Sequence, residues 1–493
     1  MEHYYITTPI YYVNGVPHIG HSYTTIAADC LARHKRARGS EVYFLTGTDE
    51  HGQKILKAAM EKKLSPIEFA DSIIPKFKEL WEKLDISYDD FIRTTEERHI
   101  KAVEYVLGNL FEKGDLYLGE YEGLYCVPCE VFWTQKQAQG NLCPDCRRPV
   151  EKITEKNFFF KLSAYQGWLL DYIEKNPFFI QPESRRNEVL GFLKENALND
   201  LCISRPKERM SWGITLPFSP GHVTYVWFDA LINYISALGY PQDKAKFEKF
   251  WPHAVHLIGK DILRQHAVFW PIMLHALGII PPRVVFAHGW WQVGDEKMSK
   301  SLGNVINPFD VIDEFGIDVY RYFLLREVPF GLDGVFSKEA LIKRFNGDLA
   351  NDLGNLVYRT LTMAEKYFDA RRPDFDETLC DRIAKEKILP KLNMLEGAVD
   401  EALGRFDFIG ALEAIWELIG MANKYIEDSK PWNLKKEGKI KELENFIALL
   451  IRLIESVGKQ LAPFMPETAA KINAQIKPDR VEKAQPMFAR IMV

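Results

Sequence analysis

Long uncharged runs are scarce in this chain of 493 residues. The longest notable one, residues 265–282, contains two histidines and three prolines, and it falls short of the ~20 apolar residues that a membrane-spanning helix needs. The amino terminus lacks the basic flank, apolar core and small-residue cleavage site of a signal peptide. We therefore expect no membrane segment and a cytoplasmic location.

Cysteine is rare, with seven residues, and the net charge of −5 is small. An odd cysteine count with two Cys-x-x-Cys pairs indicates a metal site in a reducing compartment rather than a disulfide framework. With 63 Lys+Arg against 68 Asp+Glu, the chain is not a bulk polycation, so any nucleic-acid site must be a local basic surface. The 47% apolar content is ordinary for a globular protein, and the length predicts three or four domains.

The apolar pattern predicts an α/β protein with a parallel sheet. Strands are expected at 3–13, 41–46, 223–228, 254–258 and 283–287, with helices over 17–38, over 66–84 and from 262. The segment between them holds the cysteines and an aromatic-rich strand at 157–162, and after about 340 the spacing becomes helical. The predicted divisions are a first half-sheet at 1–115, an insertion at 116–224, a second half-sheet at 225–295, a connecting region at 296–345 and a helix bundle at 346–493.

Two short motifs are typical of phosphate chemistry. His18-Ile-Gly-His21 opens a helix after a strand, where free N–H groups and the helix dipole favour anions, although the histidines could be only caps. Lys297-Met-Ser-Lys300-Ser lies in a Gly-flanked loop and could swing two ammonium groups onto a polyphosphate, although a solvated basic turn would read the same.

A third motif predicts a metal site. Cys126 and Cys129 form one Cys-x-x-Cys pair, and Cys143 and Cys146 form a second. Thiolates at this spacing close a tetrahedron around one Zn²⁺ and leave no position for a substrate, so the site should be structural. The alternative is four buried cysteines without a metal.

Together, H-I-G-H and K-M-S-K-S are the two signatures of class I aminoacyl-tRNA synthetases, which this chain resembles over nearly its whole length. Further stretches, among them T-G-T-D-E-H-G from residue 46, Y-V-W-F-D-A-L from 225 and K-P-W from 430, are similar to the methionyl-tRNA synthetase family. The resemblance implies a Rossmann-type catalytic domain split by a zinc-bearing insertion, then a helical anticodon-binding domain. It implies ATP-dependent activation of L-methionine to methionyl-adenylate and transfer to the 3′-terminal adenosine of initiator and elongator tRNA(Met).

The resemblance also implies a methionine pocket. Its positions are Ile10, Tyr12, Asp49, Trp227, Ala230, Leu231, Tyr234, Ile262 and His266. A carboxylate at Asp49 is the natural partner of the substrate ammonium, and aromatic walls with one His or Tyr donor suit a thioether. Taken singly, each of these aromatics would more often be a core residue.

For ATP, the resemblance implies contacts with Mg²⁺-bound nucleotide at His18, Gly20, His21, Gly259, Asp261, His288, Gly289, Lys297 and Lys300. Of these, His18, His21, Lys297 and Lys300 would stabilise charge during the reaction, and Arg205 resembles an activation-loop arginine.

The predicted tRNA site lies in the helical tail. Asn351, Asn355 and Arg359 are spaced by four residues and, with Trp432, resemble the site that reads the CAU anticodon. Trp432 could instead be a core residue of the bundle. The basic run at 33–38 is better explained as a helix carboxyl end that suits the macrodipole. Many family members carry a further carboxyl-terminal domain for tRNA binding or dimerisation, so a chain that stops at Val493 is expected to be a monomer.

Two other functions are possible on the residues alone. Another class I synthetase is one, but an insertion of ~110 residues has the size of an ordinary small domain, not of the large editing domain of the aliphatic enzymes. A four-cysteine zinc also leaves no open position for the substrate thiol of the cysteine enzymes. A non-catalytic tRNA-binding paralogue is the second, and it would have no use for intact His18, His21, Lys297 and Lys300.

Overall fold

In the computed structural model, residues 2–126, 131–133, 138–144, 146–293, 296–297, 306–483 and 485–492 are described. The chain divides into two compact units, Met1–His288 and Gly289–Val493. None of the helices in these ranges combines the length and apolar character that crossing a membrane would require.

Thirteen strands are described in the first unit. In chain order, β1 to β13 are His3–Tyr12, Glu41–Asp49, Asp90–Arg93, Leu116–Cys126, Val131–Trp133, Glu151–Phe160, Ile180–Gln181, Leu201–Cys202, Ser204–Pro206, Thr215–Leu216, Ser219–Thr224, Ala254–Gly259 and Val284–His288. Ten helices accompany them. In chain order, α1 to α10 are Ile19–Ala37, Gln53–Lys62, Pro66–Lys83, Glu97–Glu112, Gln166–Lys175, Glu183–Glu195, Val226–Leu231, Asn233–Ser236, Lys244–Phe250 and Trp270–Ala276.

The first unit is built on a parallel sheet in the order β3-β2-β1-β12-β13-β7. The chain runs outward from β1 on one side and through β12 and β13 on the other, so the strand order reverses between β1 and β12. Ligands of open parallel sheets bind beside the carboxyl ends of the strands at such a point. The predicted parallel sheet is therefore confirmed. A ligand is expected at the edge where the strands end with Tyr12, Asp49, Gly259 and His288.

Two smaller antiparallel sheets complete the first unit. Their orders are β5-β4-β6-β8 and β10-β11-β9. Strand β7 lies within the segment 116–224 that the sequence assigned to the insertion, yet it pairs with β13 in the central sheet. The central sheet therefore takes one strand from this segment. A two-residue strand is too short to show in the apolar pattern of the sequence.

One sequence prediction in this unit is wrong. Residues 223–228 were expected to form a strand of the parallel sheet, but β11 ends at Thr224 in an antiparallel sheet, and Val226–Leu231 is helical. Val, Trp and Phe favour strands only weakly, and tertiary contacts override such preferences. Here Asp229 accepts two buried hydrogen bonds that the helical turn makes possible.

The second unit is largely helical, as the spacing predicts. Its described helices α11 to α19 are Pro308–Phe315, Ile317–Arg326, Lys338–Arg344, Asn355–Phe368, Leu389–Gly404, Phe408–Ser429, Pro431–Lys436, Ile440–Leu461 and Pro466–Gln475. A small sheet combines β14 (Trp291–Val293), β15 (Glu296–Lys297) and β16 (Gly334–Val335). Leu412, Ile415 and Ile419 are buried along α16, as the helical spacing expected after about residue 340 requires.

Candidate active site and anticodon site

The amino end of α1 presents two histidines in one fixed arrangement. Nδ1 of His18 accepts from the Gly20 N–H at 3.1 Å, and Nδ1 of His21 accepts from the His18 N–H at 3.1 Å. The two rings stack with centroids 3.8 Å apart. An imidazole nitrogen that accepts a hydrogen bond carries no proton, so each neutral ring carries its proton on Nε2. The histidines are thus caps, and a ring with its proton on Nε2 is a donor of the kind that binds phosphate oxygens.

Glycine gives the capping ring room in this turn. A Cβ on Gly20 would lie 3.0 Å from Cε1 of His18, so the ring would have to shift by a few tenths of an ångström. A residue without a side chain therefore suits the observed position of His18.

Three further ATP candidates meet at the carboxyl ends of β12 and β13. Gly259 is paired in register with His288, and a Cβ on Gly259 would lie 2.5 Å from Oδ1 of Asp261. The Thr24 hydroxyl donates to the Gly20 carbonyl at 3.2 Å and lies 2.6 Å from Nε2 of His288. The short contact with Thr24 therefore holds the His288 ring beside the amino end of α1.

The remaining ATP candidates belong to the second unit. A Cβ on Gly289 would lie 2.1 Å from the Leu332 carbonyl oxygen, so a close backbone approach already explains this glycine. Lys297 lies in strand β15, and Lys300 lies outside the described residues.

The predicted methionine residues come from five segments of the first unit. Ile10 and Tyr12 are on β1, Asp49 ends β2, and the others lie on α7, on α8 and around the start of the segment 262–269. The rings of Tyr12 and Trp227 meet edge to face at 6.5 Å, and Nζ of Lys54 lies 4.5 Å over the Tyr12 ring. Asp49 is 2% exposed and accepts from the His51 backbone N–H at 3.4 Å.

Tyr234 and His266 are the polar pair among the residues predicted to form the wall of the methionine pocket. Nδ1 of His266 lies 2.9 Å from the Ile262 carbonyl, which can only accept, so it carries the ring proton. Burial lowers the pKa of His266 to about 4, and the neutral ring accepts the Tyr234 hydroxyl proton on Nε2 at 2.7 Å. The Tyr234 hydroxyl and the Nδ1–H of His266 both donate to other groups of the protein. In this arrangement neither is the single donor expected for a thioether, so the sulfur would be recognised by the polarizable aromatic surface.

The Tyr234 ring packs against His256, a residue that the sequence did not indicate, and His256 is fixed by two further residues. His256 stacks on the Tyr234 ring at 4.0 Å, accepts from Nε1 of Trp270 at 3.3 Å, and therefore donates from Nδ1 to the Thr7 hydroxyl at 2.8 Å. Burial keeps the pKa of His256 well below its usual value, so this ring is neutral. These residues come from three separate elements, and no local spacing could have linked them.

Arg205 does not extend into solvent. It is 5% exposed, and its guanidinium pairs with Glu155 at 3.0 Å and lies over the Tyr125 ring at 4.6 Å. A charged group so buried is fixed by its partner carboxylate. Any contact with a reacting phosphate would require this ion pair to open.

Three cysteines of the predicted quartet converge in the first unit. The sulfur atoms of Cys126, Cys143 and Cys146 all lie within 4.8 Å of one another, with Cys126 and Cys146 at 3.5 Å. A tight turn brings the second pair there, because the Cys143 N–H donates to the Arg148 carbonyl at 2.8 Å. Tetrahedral Zn–S bonds of about 2.3 Å place sulfur atoms about 3.8 Å apart, so this donor set fits zinc. Cys129 lies outside the described residues.

The anticodon candidates lie on the surface of the second unit. Asn351 is exposed in a π-helical segment, Phe345–Gly354, and Asn355 and Arg359 follow one turn apart on α14. Arg359 approaches Glu427, near the end of α16, at 4.0 Å, and Trp432 follows in α17. Trp432 is 41% exposed, which argues against the bundle-core alternative.

The basic run at 33–38 is engaged in local ion pairs. Arg33 pairs with Asp29 at 2.8 Å, Lys35 with Glu2 at 3.4 Å, and Arg36 with Asp89 at 2.6 Å. These pairs at the carboxyl end of α1 support the structural interpretation over an RNA-binding surface.

The parallel sheet, the histidine-capped helix at its reversal point and the separate helical unit define a class I aminoacyl-tRNA synthetase. Residues 4–153 and 149–361 match the family model described as tRNA synthetases class I (M), and residues 385–488 match the anticodon-binding domain of tRNA ligase. The chain belongs to the methionyl-tRNA synthetase (methionine–tRNA ligase) family.

Its relatives support this assignment. The chain is 52% identical to the methionine–tRNA ligase of Caldanaerobacter subterraneus subsp. tengcongensis, over 96% of this chain and 74% of that protein. It is 51% identical to that of Clostridium tetani, over 97% and 74% of the two chains. The Mycobacterium tuberculosis methionyl-tRNA synthetase in complex with methionyl-adenylate superposes with a TM-score of 0.93 at 42% identity, covering 96% of this chain and 94% of that one. The enzyme therefore activates methionine with ATP and charges tRNA.

Proposed function

We propose that the edge formed by β1, β2, β12 and β13 carries out methionine activation with specific residue roles. The observation that carries this is the pair of Nε2–H donors on His18 and His21, fixed by backbone hydrogen bonds at the amino end of α1. Donors fixed before the reaction stabilise the charge that develops on the α-phosphate without reorganisation.

Methionine carboxylate would attack that phosphate, forming a new P–O bond as pyrophosphate leaves. Lys297 and Lys300 would neutralise the departing pyrophosphate, and Mg²⁺ would accompany ATP through its phosphates rather than through a protein cage. The 2′-hydroxyl of the terminal adenosine, as in the class that the chain resembles, would then take the aminoacyl group and release AMP. No protein nucleophile is needed, since positioning and charge stabilisation suffice.

The nucleotide would lie along the ends of β12 and β13. Asp261 would accept from the ribose hydroxyls, and Gly259 leaves space beside it. His288, held by Thr24 at 2.6 Å, would contact the adenine with its ring. Gly289, as the next residue, would complete this contact through its backbone. Arg205 would join the phosphates only after leaving Glu155.

Methionine would lie between Asp49 and the wall of Ile10, Tyr12, Trp227, Ala230, Leu231, Tyr234, Ile262 and His266. A buried carboxylate suits the ammonium, and the aromatic and apolar wall suits the thioether. Asp49→Asn should raise KM for methionine about 100-fold in ATP–pyrophosphate exchange while KM for ATP stays within twofold, since a charge-assisted contact of ~1.5–3 kcal/mol is lost. An unchanged KM for methionine would remove Asp49 from this role.

The other assignments follow from the same family. Asn351, Asn355, Arg359 and Trp432 would read the anticodon of tRNA(Met), initiator and elongator alike, since both carry CAU. One structural zinc would sit on the four cysteines, where thiolate ligands imply a reducing, cytoplasmic compartment. We propose a monomer. Sedimentation of the enzyme at micromolar concentration would test that, and a dimer would contradict it.

A further inference from the structure

A buried carboxylate outside the substrate contacts connects the two sides of the proposed pocket. Asp229 lies on α7 between Trp227 and Ala230, and no solvent reaches it. Its Oδ2 accepts from Nδ1 of His51 at 2.7 Å, and its Oδ1 accepts from Nε2 of His99 at 2.7 Å. One charged side chain thus joins α7 to the end of β2 and to α4.

The charge on Asp229 is retained despite its burial. Burial by itself would raise the pKa, but the two histidines outweigh it and bring the pKa of Asp229 to about 2. A carboxylate that accepts from two N–H groups has a fixed position, and loss of either donor would leave a buried charge only partly satisfied.

The cluster extends to residues on both sides of the proposed methionine site. His51 follows Asp49 by two residues, and its backbone N–H is 3.4 Å from the Asp49 carboxylate. On the other side, Nδ1 of His99 lies 2.9 Å from the Ser236 hydroxyl on α8, the helix that carries Tyr234. The same three buried groups therefore link Asp49 to α7 and α8.

We propose that Asp229, with His51 and His99, is a positioning residue that sets the distance between Asp49 and the α7–α8 wall, and thereby selects an amino acid of methionine's length. The inference rests on the proposed placement of methionine between these elements. It attributes part of the selection for the length of the amino acid to residues that do not touch the substrate. One methylene in an apolar pocket is worth about 10- to 200-fold in kcat/KM, so a small change in this distance is measurable.

The test compares methionine with ethionine, which is one methylene longer, and S-methylcysteine, which is one shorter. In Asp229→Asn an amide N–H₂ faces one of the two histidine donors, so one contact must break or reorganise. We expect ATP–pyrophosphate exchange to show a raised KM for methionine, an unchanged KM for ATP, and a fall of at least about fivefold in the preference for methionine over both analogues, within the range that one methylene provides. An equal loss for all three amino acids would overturn the proposal, because it would indicate a purely structural role.

Matched variants keep the outcome interpretable. Asp29, on α1, is another fully buried carboxylate and accepts hydrogen bonds from Ser87 and Arg33. The variant Asp29→Asn should leave the preference for methionine unchanged. Ser236→Ala removes the outer hydrogen bond of His99, together with a longer one to the Asn233 carbonyl within the same turn, and should lower the preference in the same direction to a smaller degree. It carries the test if Asp229→Asn does not fold, and an unchanged preference in it would then refute the proposal.

Failure of this inference is distinguishable from failure of the site assignment. If Asp49→Asn raises KM for methionine but Asp229→Asn leaves the preference intact, only the positioning role is wrong. If Asp49→Asn has no effect on KM, the placement of methionine itself is wrong, and the positioning role falls with it.

Discussion

The neutral state of His266 makes the stability of the first unit depend on pH in a calculable way. In the folded protein its pKa is about 4, because burial disfavours the charged ring, against 6.5 for an unperturbed histidine. Between these values the unfolded chain binds a proton that the folded chain does not. Stability from this residue is therefore complete above pH 6.5 and is lost as the pH falls toward 4.

At about 1.4 kcal/mol for each pH unit, acidification from pH 7.5 to pH 5 should remove about 2 kcal/mol of the free energy of unfolding through His266. His266→Gln does not titrate and should lack this part of the loss. His256 contributes in the same direction in both proteins, and because burial and then His266 lower the pKa of His256, the difference between the proteins reports His266 together with this coupling. Asp229, with a pKa of about 2, titrates below this range.

The measurement is urea unfolding of both proteins at pH 7.5 and pH 5, followed by tryptophan fluorescence. His222→Gln, at a half-exposed histidine of the same unit, is the control for replacing a histidine. The wild-type unfolding free energy should fall about 2 kcal/mol further than that of His266→Gln. Equal losses would refute the reasoning, because they would mean that His266 takes up its proton as readily in the folded protein as in the unfolded chain.

Three further outcomes are expected. Metal analysis should find about one zinc per chain, and Cys143→Ser should lower it; active protein without zinc would contradict the cysteine site. Lys300→Ala should slow ATP–pyrophosphate exchange about 100-fold with KM for methionine unchanged, and an undiminished rate would remove its role in charge stabilisation. Trp432→Ala should lower kcat/KM for tRNA charging about 5- to 150-fold, since stacking is worth ~1–3 kcal/mol per base, and leave exchange intact. Exposed Met394→Ala is its control, and equal loss of charging and exchange would mean that Trp432 is structural.

Local sequence patterns predicted the structure correctly where an element depends only on residues close to it along the chain. The Ser65 and Glu68 capping box with Pro66 begins α3 as predicted, because all of its hydrogen bonds lie within four residues. The same is true of His18, whose capping role depends on Gly20 and His21. The strand expected at 223–228 failed, because there the deciding contacts of Asp229 come from distant His51 and His99.

The site divides in the same way. Motif residues such as Tyr234 and His266 could be named from the resemblance, but the direction of their hydrogen bond depends on the Ile262 carbonyl and on burial. His256 and Thr24 carried no signal in the sequence. Each is polar, and its deciding partners, such as Thr7 for His256 and His288 for Thr24, lie far along the chain.

By itself, the sequence determined the family, the helix caps, the cysteine quartet and the alternation of strand and helix, because each depends on the order and spacing of nearby residues. Only the tertiary structure decided which nitrogens of His256 and His266 carry protons, that Arg205 is buried against Glu155, that β7 joins the central sheet, and that Asp229 accepts from both His51 and His99. The reason is physical. Protonation, burial and strand pairing are set by groups that meet only after the chain has folded, and spacing along the chain does not encode which of them meet.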